Sequence, residues 1–265
     1  MRQYGGVEVI AYETGGLMLT LYHLRISHFC EKARWALDYK GLEYTSRLLT
    51  PGFHIATARR LAGTRSVPIL VDSDSDQVIP DSTEILHYLD HIRPDPPLFP
   101  RDAVAATTVA EVEDVLDSEW APNASAFAYC CMIQSPEELR QRWAEGLRWH
   151  QRLALGLAMP LLVPAMRRGR RLTPDMMPGY REAALAALGR INERLATGET
   201  EFLVGNEFTA ADLAAGALIA PFLNIPGSPW ATEGTVPEQM STFREEVVDS
   251  AAGRHAAAIW AAHRH

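Results

Sequence analysis

A hydroxyl, an imidazole and a thiol lie within four residues in the stretch SHFC, residues 27–30. An apolar stretch precedes it and an amphipathic one follows, which places Ser27 at a turn between a strand and a helix. A hydroxyl at that point can hydrogen-bond a thiolate, and the free N–H groups of a helix N-terminus favour negative charge. Serine is also a preferred helix N-cap, so a catalytic and a structural interpretation of Ser27 both stand.

Two neighbours compete with Ser27 for a chemical role. Cys30 occupies the second-cysteine position of a Cys-x-x-Cys motif in which Ser27 replaces the first cysteine. Three residues into the helix, Cys30 is predicted to face the core as a small apolar side chain. Tyr22 ends the preceding strand and offers a second hydroxyl, although packing accounts for it equally well.

Three further positions have residue types suited to binding a charged peptide. Val67-Pro68 lies in a predicted strand, where a cis peptide would expose the backbone of Val67 to an extended ligand; an edge strand also accounts for the proline. Asp81-Ser82 begins a helix and could hold a carboxylate and an ammonium group, or simply cap the helix. Arg65 precedes the strand and could pair with a second carboxylate.

The elements that must position these residues alternate between strand and helix. The first two strands and the helix between them form a β-α-β unit, which is normally parallel and right-handed. Two closely spaced strands later in the segment predict an antiparallel hairpin. The predicted strands are 17–22, 42–49, 66–72 and 77–80, and the predicted helices are 29–41, with Phe29, Ala33, Ala36 and Leu37 on its buried face, 56–63 and 81–92, with Ile85, Leu86 and Leu89 buried.

Beyond residue 92 the pattern changes to helix alone. The stretch RPDPPLFP, residues 93–100, contains four prolines and is predicted to be an extended linker. After it, residues 101–130, 137–168, 178–197 and 209–222 favour helix.

One of these segments, FLVGNEFTAADLAAG, has the spacing of a capping box at Thr209 and Asp212. Phe208 and Leu213 lie where a hydrophobic staple would, so the segment is predicted to be structural.

The composition is that of an acidic globular protein. The 265 residues carry a formal net charge of −8, which argues against non-specific binding to nucleic acid. Three cysteines are too few for a disulfide framework and favour a reducing, cytoplasmic setting. The histidines lack metal-binding spacing and Cys130-Cys131 is predicted to pack, so we expect no metal site. The apolar segment 153–166 is too short to span a bilayer, so we expect no membrane partner; the basic run 167–171 is predicted to be solvated.

Taken in order, these segments resemble the cytosolic glutathione transferases, in particular their bacterial serine-type members. The matching pieces are LYHLRISHFCEKARWALDYKGLEY, SVPIL, IPDSTEILHYLD and FLVGNEFTAADLAAG, together with the proline-rich linker. The resemblance implies an α/β thioredoxin-like N-terminal domain, β-α-β-α-β-β-α, followed by an all-α C-terminal domain. The expected boundaries are 17–92 for the first domain, 93–102 for the linker and 103–265 for the helical domain. His28 departs from the pattern, because a proline often follows the catalytic residue in the family.

The resemblance also implies a function: glutathione is bound, its thiolate is stabilised and it is added to small electrophiles, in a cytoplasmic, detoxifying homodimer. Ser27 would be the hydroxyl donor, with Tyr22 and Cys30 as rivals. Glutathione would be held by Arg65, Val67, Pro68, Asp81 and Ser82. We name Trp120, Phe127 and Tyr129 as candidates for the electrophile pocket.

Two alternatives remain open at the level of sequence. One is a noncatalytic module of the same fold that binds glutathione or a protein partner, since a fold does not fix a function. The other is a glutathione-dependent thiol reductase that uses Cys30.

Overall fold

The computed structural model describes residues 8–10, 18–197, 200–232 and 236–264. A mixed sheet of five strands has the order β1-β3-β2-β4-β5. Strands β2 and β3 are parallel, and β4 is antiparallel to both β2 and β5, so the predicted β-α-β unit and hairpin are confirmed. The strands are β1 (Glu8–Ile10), β2 (Leu19–His23), β3 (Tyr44–Leu48), β4 (Ile69–Asp72) and β5 (Gln77–Ile79).

Eleven α-helices occupy the described part of the chain. Two lie among the strands, a third directly follows the last strand and eight more follow the proline-rich stretch, which confirms the α/β and then all-α fold class. The predicted helix over 137–168 is two helices, and the last two helices were not predicted. The helices are α1 (His28–Tyr39), α2 (His54–Ala62), α3 (Ser82–Ile92), α4 (Ala103–Asp114), α5 (Ala121–Met132), α6 (Pro136–Ala144), α7 (Trp149–Gly169), α8 (Met177–Thr197), α9 (Ala210–Ile219), α10 (Glu238–Asp249) and α11 (Ala251–His263).

Contacts among the described residues divide the chain into two units. The first contains residues up to 98 together with 140–158, and the second contains 99–139 and 159–264. Segment 140–158 is tied to the first unit by an ion pair between Arg25 Nη1 and Glu145 Oε2, at 2.5 Å. None of the helices in the described ranges is both long enough and apolar enough to cross a membrane. The boundaries implied by the resemblance remain a prediction.

Helix α1 is buried on more than one face. Ala33, Ala36 and Leu37 have no exposed surface, as predicted, and neither has Trp35. Phe29, predicted to be buried, is only half-buried, and Cys30 is fully buried instead. The buried face of α1 therefore begins one residue later than the sequence pattern indicates.

A buried polar network closes the turn between β2 and α1. The guanidinium of Arg34 donates to the backbone carbonyls of Leu24 and Arg25, at 3.3 and 3.0 Å. The same guanidinium pairs with Glu31 Oε2 at 2.5 Å and lies 2.8 Å from Nδ1 of His23. Because Arg34 has only donors, His23 accepts at Nδ1, and its Nε2–H is then left to donate to Ser46 Oγ at 2.7 Å.

A second buried cation fixes the start of the proline-rich stretch. Lys40 has no exposed side-chain surface, and its Nζ pairs with Asp90 at 2.5 Å. It also donates to the backbone carbonyls of Arg93 and Pro96, at 2.8 and 2.5 Å. Since a buried ammonium is costly unless all three donors are used, these contacts define the path of the chain after α3.

The second unit has an aromatic core. Trp120 is fully buried, donates from Nε1 to the carbonyl of Leu218 at 3.1 Å and stacks on Phe243 at 6.0 Å between centroids. Phe127 packs against the same ring at 4.7 Å. These contacts join α5 and the π-helical segment Val115–Trp120 before it to α9 and α10.

The capping box at the start of α9 is present, and Asp212 does more than close it. Its carboxylate accepts from the N–H and the hydroxyl of Thr209, both at 3.0 Å, and from the N–H of Leu203 at 2.8 Å. Nε2 of His255 lies 3.1 Å away. A side chain with no exposed surface therefore joins the loop before α9, the helix itself and α11.

Burial of Asp212 predicts a larger loss on mutation than an ordinary cap. Asp212→Ala would leave two buried N–H groups without acceptors, so we expect the free energy of unfolding to fall by about 3 kcal/mol. The matched control is Asp102→Ala at the exposed N-cap of α4, where Asp102 accepts only from Ala105 N–H among the described residues. There we expect a loss of about 1 kcal/mol. Equal losses in urea denaturation of the two variants would contradict the special role of Asp212.

The network around His23 predicts a dependence of stability on pH. Burial, and then the charge of Arg34, lower the pKa of His23 from 6.5 to about 3. Between pH 6.5 and about 3, His23 therefore binds a proton in the unfolded chain but not in the folded chain. The contribution of His23 to stability is complete above pH 6.5 and is lost as the pH falls towards 3, by about 1.4 kcal/mol per pH unit.

The test is urea denaturation between pH 5 and 7 of the parent and of His23→Gln. The variant should be less stable at neutral pH, but its stability should fall less steeply on acidification. Burial also lowers the pKa of His54, so part of the parent's slope remains in the variant. His91→Gln, at an exposed position, is the control. If the two variants have the same slope, the assignment to His23 is wrong.

Candidate functional site

Ser27 is the N-cap of α1, with φ −89° and ψ 121°. Its Oγ accepts the backbone N–H of Cys30 at 3.3 Å. A hydroxyl has one hydrogen and two lone pairs, so capping leaves the hydrogen to be donated. Within the described part of the chain no acceptor is found for that hydrogen. Ser27 is thus a cap that keeps a free donor at the positive end of a helix.

His28 does not disturb this turn. It is the first residue of α1, and its ring lies 4.5 Å from that of Phe29. The helix begins normally although a proline is missing here, because the carbonyls of the preceding turn are held by Arg34.

The two rivals of Ser27 have different surroundings. Cys30 has no exposed surface, and its Sγ accepts the N–H of Leu24 at 3.4 Å. Burial raises the pKa of the Cys30 thiol, which disfavours the thiolate needed for redox chemistry. Tyr22 is half-buried in β2 and packs against the cluster that contains Cys30, Val67 and Ile69.

The segment before β4 contains peptide groups without hydrogen-bond partners among the described residues. The Val67-Pro68 peptide is cis, as the sequence analysis considered. Both residues are buried, and among the described residues no hydrogen bond reaches the N–H or the C=O of Val67. Buried peptide groups without partners are rare in folded proteins, so this backbone is suited to pairing with an extended ligand. Arg65 is exposed two residues earlier.

Asp81 and Ser82 lie where α3 begins. Asp81 is the N-cap, and its Oδ1 accepts from the N–H groups of Thr83 and Glu84, at 2.8 and 3.3 Å. Ser82 is almost fully buried, and in the described ranges its hydroxyl has no hydrogen-bond partner. Asp81 thus serves as a cap, while Ser82 offers a hydroxyl at a second helix N-terminus.

Packing connects these predicted positions within the first unit. Cys30, beside Ser27, belongs to the same buried cluster as Val67. The ammonium of Lys32, also buried, lies 3.0 Å from Oγ1 of Thr83, next to Ser82. The start of α1 is therefore tied both to the unpaired backbone before β4 and to the start of α3.

The candidates for the electrophile pocket lie in the second unit. Trp120 and Phe127 belong to its aromatic core and expose almost nothing, so the structure gives them a packing role. Tyr129 is half-buried, with the guanidinium of Arg170 4.9 Å from its ring centroid. Of the three, Tyr129 alone keeps appreciable ring surface for a ligand, and its role there remains a prediction.

Sequence reasoning missed the residues that hold the site together. Arg34, Glu31 and Lys32 look like the solvated charges of an amphipathic helix, yet all three are largely withdrawn from water. The spacing of these charges gave no signal, because all of them lie outside the arc of Ala33, Ala36 and Leu37. In the described ranges no three His, Cys, Asp or Glu side chains are grouped so as to hold a metal ion.

The chain is similar to one known protein family and to several curated proteins. Residues 21–97 match the family model "Glutathione S-transferase, N-terminal domain". Among curated proteins, the chain is 28% identical over 168 residues to probable maleylacetoacetate isomerase 1 of Drosophila melanogaster, a match that covers 56% of this chain and 67% of that protein. It is 38% identical over 92 residues to glutathione S-transferase Z1 of Arabidopsis thaliana, covering 34% of this chain and 41% of that one.

Solved structures share the fold across most of the chain. Beta-etherase LigF from Sphingobium sp. strain SYK-6 is similar with a TM-score of 0.59 and 18% identity, over 91% of this chain and 99% of that one. The theta class glutathione S-transferase of Xanthomonas axonopodis pv. citri, solved with glutathione bound, has a TM-score of 0.56 and 20% identity, over 91% and 97%. Residues 21–97 thus match the N-terminal domain of glutathione S-transferases, and the chain shares the fold of these solved structures.

Proposed function

We propose that this protein binds glutathione through its first unit and transfers the glutathione sulfur to small electrophiles. The observation that carries the proposal is the free hydroxyl hydrogen of Ser27 at the N-terminus of α1. A donor at that point has no use in capping the helix, because a cap acts through its oxygen. It suits an anionic ligand atom, which glutathione supplies as a thiolate.

The chemistry asked of the site is to ionise a thiol at neutral pH. A free thiol has a pKa of about 8.5, and only the thiolate is strongly nucleophilic. Donation from Ser27 and the partial positive charge of the helix end both stabilise the thiolate and so lower the pKa of the bound thiol. The thiolate then bonds to an electrophilic carbon of the second substrate, and the leaving group departs with the bonding electrons.

Three other sets of residues would bind the remaining parts of glutathione. The unpaired peptide groups of Val67 would pair with the cysteinyl unit, with Pro68 beside them. Ser82 and the helix end at Asp81 would hold the γ-glutamyl carboxylate and ammonium. Arg65 would meet the glycyl carboxylate at the solvent edge, where its contribution is small because of screening.

A second candidate reaction is isomerisation, favoured by the relative named as a probable maleylacetoacetate isomerase. The same thiolate would add to a carbon–carbon double bond, permit rotation about it and then be eliminated unchanged. Transfer consumes one glutathione per turnover and isomerisation consumes none, so measuring free thiol during the reaction distinguishes the two. The buried thiol of Cys30 gives the reductase alternative less support.

The proposal extends to assembly and location. Two copies would form a homodimer, as the family resemblance implies, in the cytoplasm, where the three free cysteines would stay reduced and where detoxification would take place. The small-molecule electrophile remains to be identified, and Tyr129, which is half-buried, is the residue proposed to contact it.

Ser27→Ala tests the catalytic assignment. We expect conjugation of glutathione to a generic aromatic halide to fall roughly 100-fold, as when a single donor to a developing anion is removed. The pKa of the bound thiol, followed through the ultraviolet absorbance of the thiolate, should rise towards its free value. Ser27→Thr, which keeps both the cap and the donor, should retain most of the activity.

Tyr22→Phe is the matched control, because it removes the other hydroxyl near α1. Full activity in Tyr22→Phe and loss in Ser27→Ala supports the assignment. The opposite result would assign the hydroxyl to Tyr22. A parent protein that binds glutathione but turns over no electrophile would be the noncatalytic module instead.

Ser82→Ala tests the binding site separately from catalysis. Because Ser82 would donate to a charged carboxylate, we expect the Kd for glutathione, measured by calorimetry, to rise roughly tenfold. The rate at saturating glutathione should change little. Ser118→Ala, which lies in the other unit, is the control. Unchanged affinity in Ser82→Ala would place the γ-glutamyl group elsewhere.

A further inference from the structure

Helix α7 turns apolar side chains towards the solvent along most of its length. Trp149, Leu153, Leu157 and Leu161 expose 76, 58, 75 and 78% of their surface. They recur every four residues, so they form one stripe on the helix, with Pro160 and Pro164 exposed among them. At 1.5 Å per residue the stripe from Trp149 to Leu161 is about 18 Å long.

The opposite face of α7 is the one that packs. Leu155 is fully buried and Met159 nearly so. At 100° per residue these two positions lie away from the exposed stripe, whose members fall within an arc of about 120°. A helix that is apolar on both faces is normally buried on both faces. The exposed stripe of α7 is therefore a surface suited to binding an apolar partner.

Positively charged residues surround the stripe and limit which partners could bind to it. Residues 146–174 contain six arginines and no acidic residue, in a chain whose net charge is −8. Arg148 and Arg152 lie at one end of the stripe, and the basic run 167–171 lies at the other. Arg167 and Arg168 fall on the same face as the leucines. The partner must accept apolar side chains and carry negative charge.

A second copy of the chain does not meet this requirement on this face. If two α7 helices paired in parallel, like ends would meet, and in an antiparallel pair Arg148 and Arg152 would face the partner's basic run. Within residues 146–174 either arrangement opposes arginine to arginine with no carboxylate between them. Self-association through the stripe would therefore be repulsive.

A protein partner is also disfavoured. From Trp149 to Ala165, the exposed polar side chains of α7 are His150 and Arg152. A protein interface normally forms about one hydrogen bond per 100–200 Å². The hydrocarbon region of a lipid leaflet requires none, and anionic headgroups supply partners for arginines at both ends.

We propose that α7 adsorbs on the surface of a bilayer rich in anionic lipid. The helix would lie in the plane of the interface, with the leucines and Trp149 among the upper acyl chains and the arginines at headgroup level. The expectation of no membrane partner rested on the length needed to span a bilayer, which adsorption does not require. The proposal is independent of glutathione, since it involves none of the residues assigned to that ligand.

The test is sedimentation of the full chain with large vesicles. We expect binding to vesicles of equimolar phosphatidylcholine and phosphatidylglycerol, little binding to phosphatidylcholine alone, and weakening as salt is added. Arg167→Gln with Arg168→Gln should reduce partitioning about 25-fold, since each arginine near an anionic surface contributes roughly fivefold. Leu157→Asn with Leu161→Asn should reduce partitioning at least tenfold.

Matched control variants use equally exposed residues elsewhere. Val104→Asn on α4, with Val104 75% exposed, and Arg60→Gln on α2 should leave partitioning unchanged. The midpoint of urea denaturation should be the same in all variants, because every substituted side chain is exposed, which shows that each variant is folded. No binding to anionic vesicles, or binding that the α7 variants do not reduce, overturns the proposal. A dimer that dissociates in Leu157→Asn/Leu161→Asn would also overturn it, by assigning the stripe to a second copy.

Discussion

The guanidinium of Arg34 is the constraint on which the proposed site depends. It holds the carbonyls of Leu24 and Arg25 in the turn that leads to Ser27. A turn without regular structure must otherwise satisfy those groups with water, and its conformation would then be less defined. Glu31 balances the charge of Arg34 within the same helix, so the cation can be withdrawn from solvent. The position of one hydroxyl thus follows from an ion pair one turn into α1.

Three buried charges perform the same task at three junctions. Arg34 fixes the path from β2 into α1, Lys40 fixes the chain after α3, and Asp212 fixes the loop before α9. Each contacts backbone groups of a segment that lacks regular hydrogen bonding. A charge in such a place costs desolvation energy, which a well-packed apolar residue would avoid. Its advantage is geometric, since carbonyls or amides that must reach a common ion leave little freedom in the connecting chain.

Local patterns in the sequence predicted the elements well and the contacts between them poorly. The parallel pairing of β2 with β3, the hairpin of β4 and β5 and the capping box at Asp212 follow from residue types at short spacing, which is local information; β1 was not predicted. Trp120 and Phe127, named as candidates for the electrophile pocket, are buried in the core of the second unit, because a helical pattern does not say which elements will cover an aromatic side chain. His23 was given no role, because its partners Arg34 and Ser46 are 11 and 23 residues away. α11 was missed because its alanine-rich sequence has little periodic contrast.

At the site and on helix α7, the structure departs from the sequence pattern in opposite ways. At the site, charged residues that a pattern places in water are buried, and each is satisfied by the groups around it. On α7, apolar residues that a pattern places in a core are exposed, with no such compensation in the described residues. A buried charge whose partners belong to the same chain needs nothing from outside the fold. An exposed apolar stripe bordered by arginines is left uncompensated by the chain, so its counterpart must come from outside the molecule.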